Sequence, residues 1–227
     1  KGIRKPKQEE RDGGKSVRTG AVTADVNDGV DEWSGGLLAD SRYGVSGAAV
    51  LHSSVGADLM DGGANADSAD YTTSNAAVSI SLGAGGSASG GHAAGDTLVG
   101  IEGLVGSAFD DALTGNVGTN IFYGGDGNDV LNGSSGNDEL YGSDGDDLLL
   151  GGNGADTLAG GVGNDTASYV NAGGRVVVDL AGGTAGGVGQ NGGDTLTSIE
   201  NVLGSTGNDF IVGDGNANSL NGYLGDD

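Results

Sequence analysis

The stretch 124–168 divides without remainder into five nonapeptides: GGDGNDVLN, GSSGNDELY, GSDGDDLLL, GGNGADTLA and GGVGNDTAS. Position 4 is Gly in every copy (Gly127, Gly136, Gly145, Gly154, Gly163), and position 6 is Asp (Asp129, Asp138, Asp147, Asp156, Asp165). Position 8 is Leu131, Leu140, Leu149, Leu158 and then Ala167. Glycines at positions 1, 2 and 4 permit positive φ and close backbone approach, so the first six residues read as a tight turn. Side chains alternate along a strand, so positions 7 to 9 read as a short strand with position 8 facing inward. Two such units make an 18-residue coil with a strand on each side. Successive coils then stack about 4.8 Å apart, and carboxylates of repeats two apart lie over one another.

Stacked carboxylates repel each other unless a cation lies between them. Calcium takes six to eight oxygen ligands, carboxylate and carbonyl, whereas magnesium demands tight octahedral geometry and keeps its waters. Zinc prefers Cys and His, and a glycine turn presents neither.

The composition agrees with a solenoid. Gly accounts for 51 of 227 residues, and aromatic residues are 4%, too few for a broad layered core. Seven of the nine Lys and Arg lie in 1–18; residues 19–227 hold 29 acidic and two basic residues, a net charge of −27. Such a surface repels nucleic acid and anionic membranes and attracts cations. No Cys is present, which excludes disulfides, thiolate catalysis and Cys-based zinc sites. No apolar run approaches the roughly 20 residues that span a bilayer, and 1–20 shows no apolar signal-peptide core. One buried Leu per nine residues does not offset the ordering of nine residues of backbone, so metal binding is expected to supply part of the folding free energy.

The nonapeptides match the pattern G-G-x-G-x-D-x-U-x, and the chain resembles the RTX, or hemolysin-type calcium-binding repeat, family. The resemblance implies an all-β parallel β-roll, a right-handed solenoid of nine-residue half-coils. It also implies calcium held between adjacent turns by the position-6 Asp and glycine carbonyls. Carried over here, the ligands are Asp129, Asp138, Asp147, Asp156 and Asp165. With them go the position-1 glycines Gly124, Gly133, Gly142, Gly151 and Gly160, and the position-4 glycines Gly127, Gly136, Gly145, Gly154 and Gly163. The pairs 129/147, 147/165 and 138/156 are complete. Asp111 extends the series with Phe109 in place of the position-4 Gly, and 120/138 has Asn120 in place of Asp.

The rest of the chain repeats at a larger scale. A worn set of nines, VNDGVDEWS, GGLLADSRY, GVSGAAVLH, SSVGADLMD and GGANADSAD, occupies 26–70 and aligns with 124–168 at a shift of 98 residues. The same shift brings Tyr71 onto Tyr169, VSISL (78–82) onto VVVDL (176–180) and GDTL (95–98) onto GDTL (193–196). The expected organisation is therefore a linker or disordered segment at 1–25, worn repeats at 26–70 and an insert at 71–96 with a strand and a Gly-rich loop. The main β-roll follows at 97–168, eight nines beginning with TLVGIEGLV. A second insert and roll entry fill 169–203, and a further block opens at 204–227. Ending at position 6 of a repeat, the chain reads as a piece of a longer protein. In the worn block Ala49 replaces an Asp, Arg42 stands at an apolar position 8, and Leu38 and Asn65 replace the position-4 Gly. That block is expected to hold few metals, to rely on packing by Trp33, Leu51 and Met60, and to be the less ordered half.

Other chemistry finds little support. Asp144-Gly145-Asp146 lacks the closing Glu and flanking helices of an EF-hand. GNGADT (152–157) lacks the third Gly of a dinucleotide motif. His52 and His92, the only histidines, read as a solvent-facing strand residue and a loop residue. No His-Glu-x-x-His occurs, and periodic aspartates are unlike a singular acid/base pair, so no enzyme activity is expected of this chain. The expected function is a calcium-binding repeat region of a secreted bacterial protein, folding on calcium binding, with a structural or adhesive role. The alternative is the carrier region of a secreted protease, lipase or hemolysin-type toxin whose catalytic domain lies elsewhere. The resemblance implies export by type I secretion machinery to the cell surface or beyond. Calcium is the one partner the sequence names, with no nucleic acid and no membrane span.

Overall fold

The computed structural model describes residues 38–187 and 192–227, together with the backbone of two strands, Thr23–Asn27 and Glu32–Trp33. The expectation for 1–22, and the packing role given to the Trp33 side chain, lie outside the described residues. The roll begins within the stretch read as linker, because Thr23–Asn27 pairs in parallel with Ser41–Ser46. Its TADVN sequence alternates polar and apolar residues, as a half-buried strand does.

The described residues form three sheets of short strands, with one 3₁₀ turn at Gly91–Ala93 and no α-helix. Pairing among the described strands is parallel, apart from two hairpins described below and the antiparallel pairing of Thr184–Gly187 with Gly193–Thr197, which joins the second hairpin to the 11-stranded sheet. Along 103–168 the chain alternates between an 11-stranded and an 8-stranded sheet. Strands 18 residues apart are hydrogen-bonded: Ile121 lies beside Glu139, Glu139 beside Thr157, and Val130 beside Leu148. This is the coil that the nonapeptide spacing demands. Position 8 points inward from both sheets, and Leu104, Leu113, Phe122, Leu131, Leu140, Leu149, Leu158 and Ala167 are all fully buried. The core is thus one apolar column from each sheet. Outside it, Tyr123 and Tyr141 stack with ring centroids 4.8 Å apart, the spacing of neighbouring strands.

The worn block folds the same way. Its strands Val50–His52, Leu59–Asp61 and Ser68–Asp70 are spaced by nine residues, and Leu51, Met60 and Ala69 fill the inward column. Asn65 takes a φ of 85°. Asn tolerates this left-handed region better than most residues, so the replacement of Gly there preserves the turn. His52 is half-buried rather than simply solvent-facing, with Nδ1 3.0 Å from Asp70 Oδ2 on the paired strand.

The 98-residue shift is a structural repeat. In the first unit Leu59 pairs with Thr97, Ser68 with Gly103 and Ser79 with Ala112, offsets of 38, 35 and 33 residues. In the second unit Thr157 pairs with Thr195, Thr166 with Asn201 and Val177 with Phe210, the same three offsets. Each unit carries one antiparallel hairpin, Ser79–Ser81 with Ser87–Ser89 and Val176–Asp179 with Thr184–Gly187. In the first unit one sheet passes straight through, the four-stranded sheet ends at Thr97–Val99, and the hairpin opens its replacement.

One register detail differs from the sequence reading. TLVGIEGLV is not a single nonapeptide: it holds two strands, Thr97–Val99 and Gly103–Val105, joined by Gly100, Ile101 and Glu102 alone. Asp96 therefore takes the position-6 role for the first of these strands and Glu102 for the second. With its turn shortened by three residues, the longer Glu side chain reaches the site an Asp holds elsewhere, and its Oε2 accepts the Asp67 N–H at 3.0 Å.

Candidate metal centre

Each position-6 carboxylate of 124–168 has one oxygen committed to the stack. Asp147 Oδ1 accepts the N–H of Asp129 at 2.8 Å, Asp165 Oδ1 that of Asp147 at 2.9 Å, and Asp156 Oδ1 that of Asp138 at 2.9 Å. Asp129 does the same for Asp111 at 2.7 Å, and Asp138 for Asn120 at 2.8 Å. A second, exposed ladder runs the opposite way at position 5, where Asp110, Asn128 and Asp146 accept the N–H groups of Asn128, Asp146 and Asn164. The inner ladder explains why position 6 needs an oxygen two bonds beyond Cβ. Ser is too short, and an apolar residue would leave the preceding N–H buried and unpaired.

The other oxygen has no protein partner. Oδ2 of Asp129, Asp138, Asp147, Asp156 and Asp165 is buried and makes no hydrogen bond, and the same is true of Asp67; Asp194 Oδ2 is also outside hydrogen-bond geometry, but the Tyr169 hydroxyl faces it as Tyr71 faces Asp96. Isolated carboxylate oxygens away from water are costly. The protonation equilibria reflect this: burial, ahead of neighbouring charges, pushes Asp129 up to about 7 and Asp138, Asp165 and Asp194 up to about 6. Asp147 and Asp156 are raised for the same reason.

The glycines make room beside these oxygens. A Cβ at Gly142 would occupy the space bounded by Asp147 Oδ2 and the Gly160 carbonyl of the next coil, and Gly124 stands likewise between Asp129 Oδ2 and the Gly142 carbonyl. At position 4, Gly145 has a φ of 144° and lies so close to the Gly127 carbonyl that no Cβ fits. The cradle is lined by oxygen: one orphaned carboxylate oxygen and the carbonyl of the adjacent turn. Among the described residues no three His, Cys, Asp or Glu side chains converge on one point. Any cation here must therefore complete its shell from main-chain carbonyls, as calcium does.

Not every turn is of this kind. In the turns carrying an orphaned Asp, apart from that of Asp194, position 2 has positive φ, whether it is Gly (Gly63 84°, Gly125 114°, Gly152 102°, Gly161 116°) or Ser (Ser134 76°, Ser143 88°). We call these open. In closed turns the side chain is satisfied from within. The Ser107 N–H donates to Asp111 Oδ2, and the Ser107 hydroxyl to Asp111 Oδ1 at 2.9 Å. Ser205 does the same for Asp209. Asn120 Oδ1 accepts the Asn116 N–H at 2.9 Å, and its amide nitrogen donates to the Glu102 carbonyl at 3.1 Å.

The structure thus places Asp129, Asp138, Asp147, Asp156 and Asp165 in open turns with their position-1 and position-4 glycines, and Asp111 in a closed one. Two orphaned carboxylates escaped the sequence reading. Asp67 was passed over because Ala49, one coil back, offers no carboxylate to pair with it. Asp194 was hidden by its place beside the second insert, although the 98-residue shift pairs it with Asp96.

A parallel roll whose turns present unpaired buried carboxylate oxygens among backbone carbonyls defines a class of cation-binding solenoid. The chain matches the family described as RTX calcium-binding nonapeptide repeat (4 copies) over residues 43–70, 98–131, 105–140, 132–167 and 188–227, and it belongs to that family. Its repeats bind calcium ions. No curated protein matches it. Among the described residues no helix is long and apolar enough to cross a membrane.

Proposed function

We propose that the open turns are the calcium sites of this region, and that the roll 103–168 folds when they fill. Asp129 and Asp147, Asp147 and Asp165, and Asp138 and Asp156 each contribute to a site between adjacent coils. Position-1 and position-4 glycines supply carbonyls and the space beside them. Asp67 provides one site in the worn block. The closed turn of Asp111 is left out of the set. The carrying observation is the series of buried Oδ2 atoms without a partner. When bound, calcium supplies the positive charge that offsets them. The residues themselves hold the coil register through the Oδ1 ladder and keep Oδ2 aimed at the gap.

The role that fits is a structural or adhesive segment of a secreted bacterial protein. Support comes from the strongly acidic surface and from a family typical of secreted proteins. The 98-residue tandem, in which the strand offsets of the first unit recur in the second, favours an extendable rod over a carrier for an enzyme or toxin. Circular dichroism in EGTA followed by a calcium titration tests the folding claim. A rise in β-signal with calcium is expected, and an unchanged β-spectrum in EGTA would sink it.

A further inference from the structure

One column of position-6 carboxylates is unlike the others. Asp40, Asp58 and Asp96 precede the strands Ser41–Ser46, Leu59–Asp61 and Thr97–Val99 of the four-stranded sheet, and the same Oδ1 ladder links them. Here Oδ2 is not orphaned. Arg42, at an inward position 8 and only 1% exposed, places Nη1 3.1 Å from Asp58 Oδ2 and Nη2 3.4 Å from Asp40 Oδ2. Nη2 also donates to Ser54 Oγ at 2.7 Å, and that hydroxyl donates to Asp58 Oδ2 at 2.8 Å. One coil further on, the Tyr71 hydroxyl donates to Asp96 Oδ2 at 2.9 Å.

We propose that Arg42 is a built-in cation that does for this column what calcium does for the glycine turns. The coils held by this column then keep their fold without metal, whether or not the Asp67 site of the same block is filled, and seed the calcium-dependent roll. A guanidinium stays protonated at any working pH and presents several donors to paired carboxylates, and no chelator removes it. Two carboxylates and one guanidinium retain a net negative charge, which the Ser54 hydroxyl and the Asp40 N–H help to disperse. The block is joined to the roll through a continuous sheet, Ser68–Asp70 pairing directly with Gly103–Val105. In a stacked array each coil is stabilised mainly by its neighbour, so an ordered first coil spares the next the cost of nucleation. The sequence reading of this block as the less ordered half assumed that worn repeats lose their cation. In this column the cation is covalent.

This assignment rests on the calcium reading of the open turns, and the test separates the two. Hydrogen exchange of the full chain at neutral pH should show slow amides at 40–61 and 97–99 in EGTA, with fast exchange across 124–168 that slows on adding calcium. Slow exchange at 124–168 in EGTA would overturn the calcium reading; fast exchange at 40–61 in EGTA would overturn the role of Arg42. Arg42→Met keeps the apolar stem and removes the charge. Its 40–61 amides should lose at least tenfold in protection in EGTA, and calcium-triggered folding of 124–168 should slow. Wild-type protection of 40–61 in that variant would also overturn the proposal.

Discussion

Asp129→Asn separates the two tasks of a position-6 carboxylate. The amide keeps Oδ1 for the Asp111 N–H (2.7 Å in the wild type). Asn120 shows that an amide is accommodated at position 6, although its own Oδ1 takes the Asn116 N–H of its turn and not an N–H of the neighbouring coil. What is lost is the negative charge at Oδ2, and the sign of the effect should depend on calcium. Without metal, burial raises the Asp129 pKa from 3.8 to about 7. The folded state then binds more protons than the unfolded one between those values, so this group's contribution to stability is present below pH 3.8 and is lost as pH rises through 7. At 1.36 kcal/mol per tenfold change in the protonation equilibrium, this makes the ionised carboxylate a liability of at most about 4 kcal/mol above pH 7, less the part that solvent screens. The Asn variant should therefore hold more β-structure than the wild type in EGTA at pH 7.5, and no more at pH 3.5. With calcium the order reverses. If the sites bind like other extracellular modules, at Kd near 10⁻⁴ M, 10 mM calcium stabilises by about 2.7 kcal/mol per site, and the variant forfeits that. Denaturant titrations of both proteins, in EGTA and in 10 mM calcium, give the four values needed. The same sign in both conditions would refute the assignment of Oδ2 to the metal and leave Asp129 as a purely structural residue.

Other outcomes follow from the same geometry. Asp147→Ala should lower calcium stoichiometry in isothermal titration by one or two ions per chain, whereas Asp111→Ala, in a closed turn, should leave it unchanged; equal losses would contradict the division of turns. Acidifying the EGTA-treated protein from pH 7.5 to pH 4 should raise its β-signal, because the buried carboxylates at 129, 138 and 165 take up protons on folding; a fall over that range would contradict it. Gly145→Ala places a Cβ against the Gly127 carbonyl at a φ of 144° and should cost more than 2 kcal/mol in calcium-saturated denaturation, while Gly173→Ala, which meets nothing, should be near neutral.

The coil was legible because a nine-residue period leaves little freedom. Glycine fixes where the chain turns, and alternation fixes which of three strand residues faces in. The doubled strand at 97–105 was not, since GIE does the work of a six-residue turn by substituting Glu102 for Asp, and counting in nines passes over it. Arg42 was read as wear because an inward position 8 calls for an apolar residue. Its partners Asp40, Ser54 and Asp58 are contributed by two different coils, and only the stacking shows that all three surround one guanidinium.

Whether a turn is open or closed is the hardest feature to read from the nonapeptide alone. Ser occupies position 2 in both kinds: Ser134 and Ser143 have positive φ, whereas Ser107 and Ser205 turn back to bind their own Asp. The difference lies in the neighbour. The coil before 106–111 is the insert strand, which offers Val78 N–H to Asp111 and no glycine turn, and the coil before 204–209 offers Val176 N–H to Asp209 in the same way. With no glycine turn on that side to form the other half of a cation cradle, the Ser side chain satisfies the carboxylate instead. One coil later the partner is another turn, and the open state returns: Gly125 has φ 114° at 124–129, and Tyr223 has φ 76° at the equivalent place in 222–227. At 106–111 and 204–209 the closed state thus follows from the coil that precedes the turn, which recurs with the 98-residue repeat, and the nine-residue repeat only makes both states possible.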